Sequence, residues 1–185
     1  MACTVVSICN QKGGVGKTTT TISLGAALRD RGRQVLLVDL DPQGSLTIAV
    51  GIDATNLPLT VYNAMCDKTE MAEIIYEVGG LDVAPTNIDL AAAELELVNT
   101  MYREEVLRNA LEPLLDSYDH ILIDCPPSLG LLTVNAMVAS EKLLVPVECE
   151  YLALRGLGSL YATYEKVKRY NKRLNPDVIG TTLHV

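Results

Sequence analysis

Five short apolar runs, Val5–Ile8, Val35–Val38, Leu81–Ala84, Ile121–Ile123 and Leu143–Val147, recur along the chain without strict alternation of apolar and polar positions. A strand with one wet face alternates; a run apolar at consecutive positions suits a strand covered on both faces. Segments of helical length and composition lie between the runs, at about 17–31, about 91–117 as one helix or two with Pro113 as an interruption, 133–139 and 154–174. The order strand, helix, strand predicts an α/β fold, a mostly parallel β-sheet with helices on both faces joined by right-handed crossovers. Ligands of such sheets sit at the carboxyl ends of the strands, which is where chemistry is to be sought.

The chain has 185 residues, 49% of them in the hydrophobic set and 21% charged, so it supports one good-sized core, and disordered and low-complexity classes are excluded. Fifteen Lys and Arg against 23 Asp and Glu leave a net charge of −8, so any contact with nucleic acid must be local. Phe and Trp are absent, which makes the expected core aliphatic. The five cysteines (Cys3, Cys9, Cys66, Cys125, Cys149) form no CxxC pair and suggest reduced thiols rather than a disulfide framework or a zinc knuckle. The N-terminal apolar run has no basic region before it, and no apolar stretch reaches the ~18 residues of a membrane span, so the expected compartment is the cytoplasm. Residues 53–80, broken by Pro58, Asn63, Asp67 and Gly79-Gly80, are expected to hold one or two short helices. A last run, Val178–Leu183, reads as a further strand.

Residues 7–20, SICNQKGGVGKTTT, follow a strand and open a helix. Gly13, Gly14 and Gly16 permit backbone conformations closed to other residues, so successive N–H groups, including that of Val15, can turn inward around phosphate oxygens. The helix start adds its positive dipole end, Lys17 can reach the β- and γ-phosphates, and Thr18, followed by Thr19, offers a hydroxyl to Mg²⁺. Two acids, Asp39 and Asp41, stand in DLDPQG at the end of the second strand, where a buried carboxylate needs a cation or donors; Asp39 is assigned to the metal. Asp124 ends the apolar strand HILID and can hold a water of the Mg²⁺ shell near Thr18.

The strict GxxxxGK[ST] pattern fails, because Gln11 stands where its first glycine belongs, and KGGxGKT with the additional Lys12 replaces it. In this the chain resembles the deviant Walker-A ATPases of the P-loop class and, within them, the ParA/Soj partition group. APTN at 84–87 and VPVECEYLALRGL at 145–157 are further likenesses to that group, although neither stretch is assigned any chemistry. The resemblance implies that Lys12 reaches across a dimer interface to the partner's nucleotide and that Asp41 orients the attacking water. It also implies ATP and Mg²⁺ as cofactors, a homodimer formed on ATP binding, a ParB-like adaptor that accelerates hydrolysis, and non-specific DNA as a ligand of the dimer. Members of the group generally continue past the last strand, so residues 1–185 are expected to form one P-loop ATPase domain without its C-terminal strand and helices. That missing part is expected to carry base contacts and much of the DNA surface.

The basic run 166–173, with five cations in eight residues, is the one place where phosphates of DNA could be met, and it serves equally as a solvated helix end. Cys125 follows Asp124 without a second cysteine in a comparable setting, which argues against an iron–sulfur relative, and the amphipathic membrane helix of MinD-like relatives is not expected for this chain. Two other functions stay open at this stage. One is a P-loop kinase of small molecules, although residues 53–80 contain no Arg and a single lysine, Lys68; the other is a nucleotide-bound scaffold that does not hydrolyse.

Overall fold

The computed structural model describes residues 2–148 and 153–181. Among the described residues seven strands form one sheet: β1 (Thr4–Ile8), β2 (Val35–Asp39), β3 (Tyr76–Val78), β4 (Leu81–Ala84), β5 (His120–Asp124), β6 (Lys142–Glu148) and β7 (Asn175–Thr181). Their spatial order is β3-β4-β2-β5-β1-β6-β7, every pair parallel except β3 with β4. The helices are α1 (Lys17–Arg29), α2 (Ser45–Ala49), α3 (Leu90–Glu96), α4 (Val106–Leu111), α5 (Leu131–Ala139) and α6 (Ala153–Val167).

Consecutive strand residues feed opposite faces, which is why the runs in sequence do not alternate. Leu36 and Val38 of β2 and Ile121 and Ile123 of β5 pack into the cluster beneath α3 to α6. Val35 and Leu37, with Leu122, pack into the cluster beneath α1 and α2. The register sets Ile8, Asp124 and Asp39 side by side at the carboxyl ends of β1, β5 and β2. That row is the floor of the site.

Local structure refines the expectations at several points. Residues 76–78 form a strand, joined to β4 by Gly79-Gly80 with φ of 58° and 77°; two consecutive positive φ values are what a tight hairpin demands and what glycine supplies at little cost. Of the one or two short helices expected in 53–80, two short turns are present, a π turn at Asn63–Asp67 and a 3₁₀ turn at Met71–Ile74. The long helical pattern breaks at 100–105, between α3 and α4, whereas Pro113 merely sits in a 3₁₀ turn that extends α4. Helix α6 stops at Val167, because Asn171 is drawn off to α5: its amide donates to the carbonyls of Met137, Val138 and Ser140. Residues 149–152 of the segment noted after β6, and 182–183 of the final run, lie outside the described residues.

Candidate nucleotide site

The glycine loop joins β1 to α1 at the sheet's carboxyl edge. Gly14 and Gly16 adopt φ of 77° and 83°, and a Cβ built on Gly13, Gly14 or Gly16 would meet nothing within 4 Å, so the loop encloses open space. Gly16 caps α1 with no side-chain hydrogen bond to the first turn, which leaves the amide donors of a 13-residue helix pointing into that space. Val15 is buried and anchors the loop, while Lys12, Gly13 and Gly14 are exposed at its lip. Lys17 is 8% exposed and turns back across the loop, its Nζ 3.4 Å from the Lys12 carbonyl oxygen. A buried ammonium among inward amides is a strong anion receptor.

Beneath the loop, Thr18 Oγ1 donates to Asp124 Oδ2 at 2.6 Å. The other oxygen, Oδ1, is buried and has no hydrogen-bond partner among the described residues. An orphaned carboxylate oxygen beside a threonine hydroxyl, under an anion receptor, fits a hard divalent cation with oxygen ligands. Burial pushes the Asp124 carboxyl up to about 7; the Thr18 bond and the Lys17 cation oppose that rise, and Asp39 and Asp41 add to it. A cation would reverse the balance and hold the carboxylate ionised. Thr19 is exposed on the first turn of α1.

Asp39, assigned to the metal from sequence, is held differently from Asp124. It is fully buried and its oxygens are already engaged: Oδ2 accepts from the Thr47 amide at 2.8 Å and the Thr47 hydroxyl at 2.7 Å, and Oδ1 from the Asp41 amide at 3.2 Å. Its three donors come from the chain itself, so Asp39 needs no cation to be satisfied. Burial raises its carboxyl to about 6, with the Thr47 and Asp41 bonds working against that rise. Asp41 stands two residues further along, half-buried, its Oδ1 accepting from the Gln43 amide at 3.0 Å.

Asn10, Thr47 and Thr86 belong to this region and were not anticipated. The Asn10 amide donates to the Pro146 carbonyl at 2.7 Å and its oxygen accepts from the Lys12 amide at 3.0 Å, so it ties the loop to β6. An Asn two residues before the amide it accepts from is a turn signal legible in sequence. Thr47 and Thr86 carry no such signal, since their partners are set by the fold. Cys9 and Cys125, both fully buried beside the loop and Asp124, pack thiol to thiol, with Cys9 Sγ donating to Cys125 Sγ at 3.0 Å. The basic residues Lys166, Lys168, Arg169, Lys172 and Arg173 are exposed on and after the last turn of α6. No helix among the described residues is long and apolar enough to cross a membrane.

The AAA_31 family profile, described as an AAA domain, matches residues 3–178. The sporulation initiation inhibitor protein Soj of Bacillus subtilis is 50% identical over 177 residues, covering 95% of this chain and 69% of Soj. The chromosome partitioning protein ParA of Myxococcus xanthus is 49% identical over 176 residues, covering 94% of this chain and 61% of that protein. Among solved structures, the Mycobacterium smegmatis protein described as cobyrinic acid a,c-diamide synthase, with bound ATP analogue and magnesium, superposes with a TM-score of 0.94 at 43% identity, covering 96% and 74% of the two chains. The chain spans 56 to 69% of the length of these and similar curated relatives. Glycine loop, in-register strand tips and these likenesses agree: the chain belongs to the ParA/Soj family of P-loop domains.

Proposed function

We propose that this chain is a Mg²⁺-dependent ATPase that works as a dimerisation switch in partitioning of plasmids, chromosomes or another cargo. The observation that carries the reading is Asp124: a buried carboxylate with one oxygen on Thr18 and the other unpartnered, directly under an uncapped helix start and a buried lysine. Thr18 and Asp124 would hold Mg²⁺, which when bound spreads the charge of the β- and γ-phosphates. Backbone amides of 13–19 and Lys17 bind the phosphate tail; Asp41 orients water for in-line attack on the γ-phosphate; Lys12, exposed at the lip, reaches the nucleotide of a second copy. Because each site lacks that second lysine until two copies meet, the ATP-bound dimer is the active species and hydrolysis releases it.

The names of the Soj and ParA relatives support a partition role, and the resemblance supplies a ParB-like adaptor as activator and DNA as a ligand of the dimer. The exposed cations after α6 are the described surface suited to phosphates. Light scattering of the chain with ADP, then with ATP and Mg²⁺, tests the switch. Mass should double with ATP in the wild type and stay monomeric in Lys12→Ala. Labelled phosphate should appear as free phosphate; its appearance on an added small-molecule acceptor would replace this reading with a kinase.

A further inference from the structure

The loop that carries Asp41 has little of its own to hold it. Helix α2, which follows, is five residues long, too short to be stable by itself, and its Gly44 cap makes no side-chain hydrogen bond. What fixes the segment is Thr47, the third residue of α2 and fully buried. Its amide and hydroxyl both donate to Asp39 Oδ2, and Asp39 Oδ1 accepts from the Asp41 amide. A threonine hydroxyl has one proton and two lone pairs. The proton is committed to Asp39, and a lone pair accepts the Thr86 amide at 3.0 Å. Thr86 is fully buried just past β4, in the stretch 84–87 for which sequence supplied a likeness and no chemistry. A second contact brings the same segments together: Gly44 has φ of 63°, and a Cβ there would lie 3.4 Å from the Thr86 carbonyl oxygen.

We propose that Thr47 is a positioning residue for ATP hydrolysis: through Asp39 it sets the backbone of Asp41, and through the Thr86 amide it clamps that loop to the end of β4. The inference rests on the reading of Asp41 as the water-orienting group and adds the residues that hold it. Thr47 is buried beneath the loop and acts only through its neighbours. Its removal therefore misplaces Asp41 while leaving the glycine loop, Lys17 and the Thr18–Asp124 pair intact. Chemistry should suffer and nucleotide binding should not.

Thr47→Val keeps shape and removes both hydroxyl bonds, while Thr47→Ser retains them. With the whole chain, kcat at saturating Mg²⁺-ATP should fall about 10- to 100-fold in Thr47→Val, with Kd for a non-hydrolysable ATP analogue within about 2-fold of wild type. Thr47→Ser should recover kcat to within about 3-fold. Since Thr47 acts through Asp41, single-turnover hydrolysis by Asp41→Ala should slow no further when Thr47→Val is added. Wild-type kcat in folded Thr47→Val, equal losses in the Val and Ser variants, or a further loss on top of Asp41→Ala overturns the proposal. If Thr47→Val does not fold, Thr47→Ala makes the same comparison; failure of both to fold while Thr47→Ser folds assigns the hydroxyl to stability and equally overturns it. Asp41→Ala hydrolysing at the wild-type rate removes the underlying reading instead, so the two failures are told apart.

Discussion

Thr18 Oγ1 donates to Asp124 Oδ2 at 2.6 Å, joining residues 106 positions apart in sequence. The contact makes the first turn of α1 and the tip of β5 one oxygen-rich unit and leaves Asp124 Oδ1 with no protein partner among the described residues. An arrangement in which a buried acceptor waits for a ligand costs about 1 to 3 kcal/mol in the free protein and is recovered when the ligand binds.

Thr18→Val should therefore abolish the gain in ATP affinity that Mg²⁺ confers, while affinity in excess EDTA stays close to wild type, because amides and Lys17 remain. Calorimetric titration with and without Mg²⁺ reads this directly. A variant with undiminished Mg²⁺ dependence would place the cation on other ligands.

Asp124 also sets a pH dependence in the metal-free protein. Its carboxyl is raised from 3.8 to about 7, chiefly by burial, so between those values the folded state holds the proton more tightly than the unfolded state. Stability from this group is complete below the lower value and is lost as pH rises through the upper one. Relative to Asp124→Asn, which does not titrate, the wild type should lose a few kcal/mol between about pH 4 and about pH 7, read as urea midpoints in EDTA. A constant gap between the two proteins would contradict the burial argument.

Asn171 tests the opposite end of the sheet. Its amide serves three carbonyls, those of Met137, Val138 and Ser140, at the end of α5. Asn171→Ala leaves them short of a donor and should lower stability by about 1 to 3 kcal/mol with ATP affinity unchanged, as equilibrium unfolding and a binding titration will show.

Gly25 marks the closest approach of α1 to the sheet. A Cβ there would fall 2.7 Å from Leu37 Cδ2, whose side chain is wholly buried. Gly25→Ala should cost about 1 to 3 kcal/mol by overpacking, against the general gain from alanine in a helix, and a lowered thermal midpoint is the readout. A midpoint at or above that of wild type would mean that the interface yields freely.

Six of the seven strands were legible as apolar runs, because strands covered on both faces need apolar residues at consecutive positions. Tyr76–Val78 was not, since a three-residue edge strand buries too little to leave a pattern; Gly79-Gly80 beside Leu81–Ala84 was the available clue. Ser45–Ala49 was missed for a related reason: its anchor, Thr47, is held by Asp39 and Thr86, outside the helix itself.

The glycine loop was readable because its features are local: glycines, lysine and threonine stand at closely spaced positions, and their spacing alone specifies an anion receptor opening a helix. Asp39 and Asp124 looked equivalent in sequence, each an acid at the end of an apolar strand. Only the tertiary structure separates them. Asp39 meets donors from Thr47 and Asp41 that satisfy it, whereas Asp124 meets Thr18 alone and keeps an open oxygen. A carboxylate's role is set by how many donors reach it in three dimensions, and chain order determines that number only after the sheet has brought its strand tips into register.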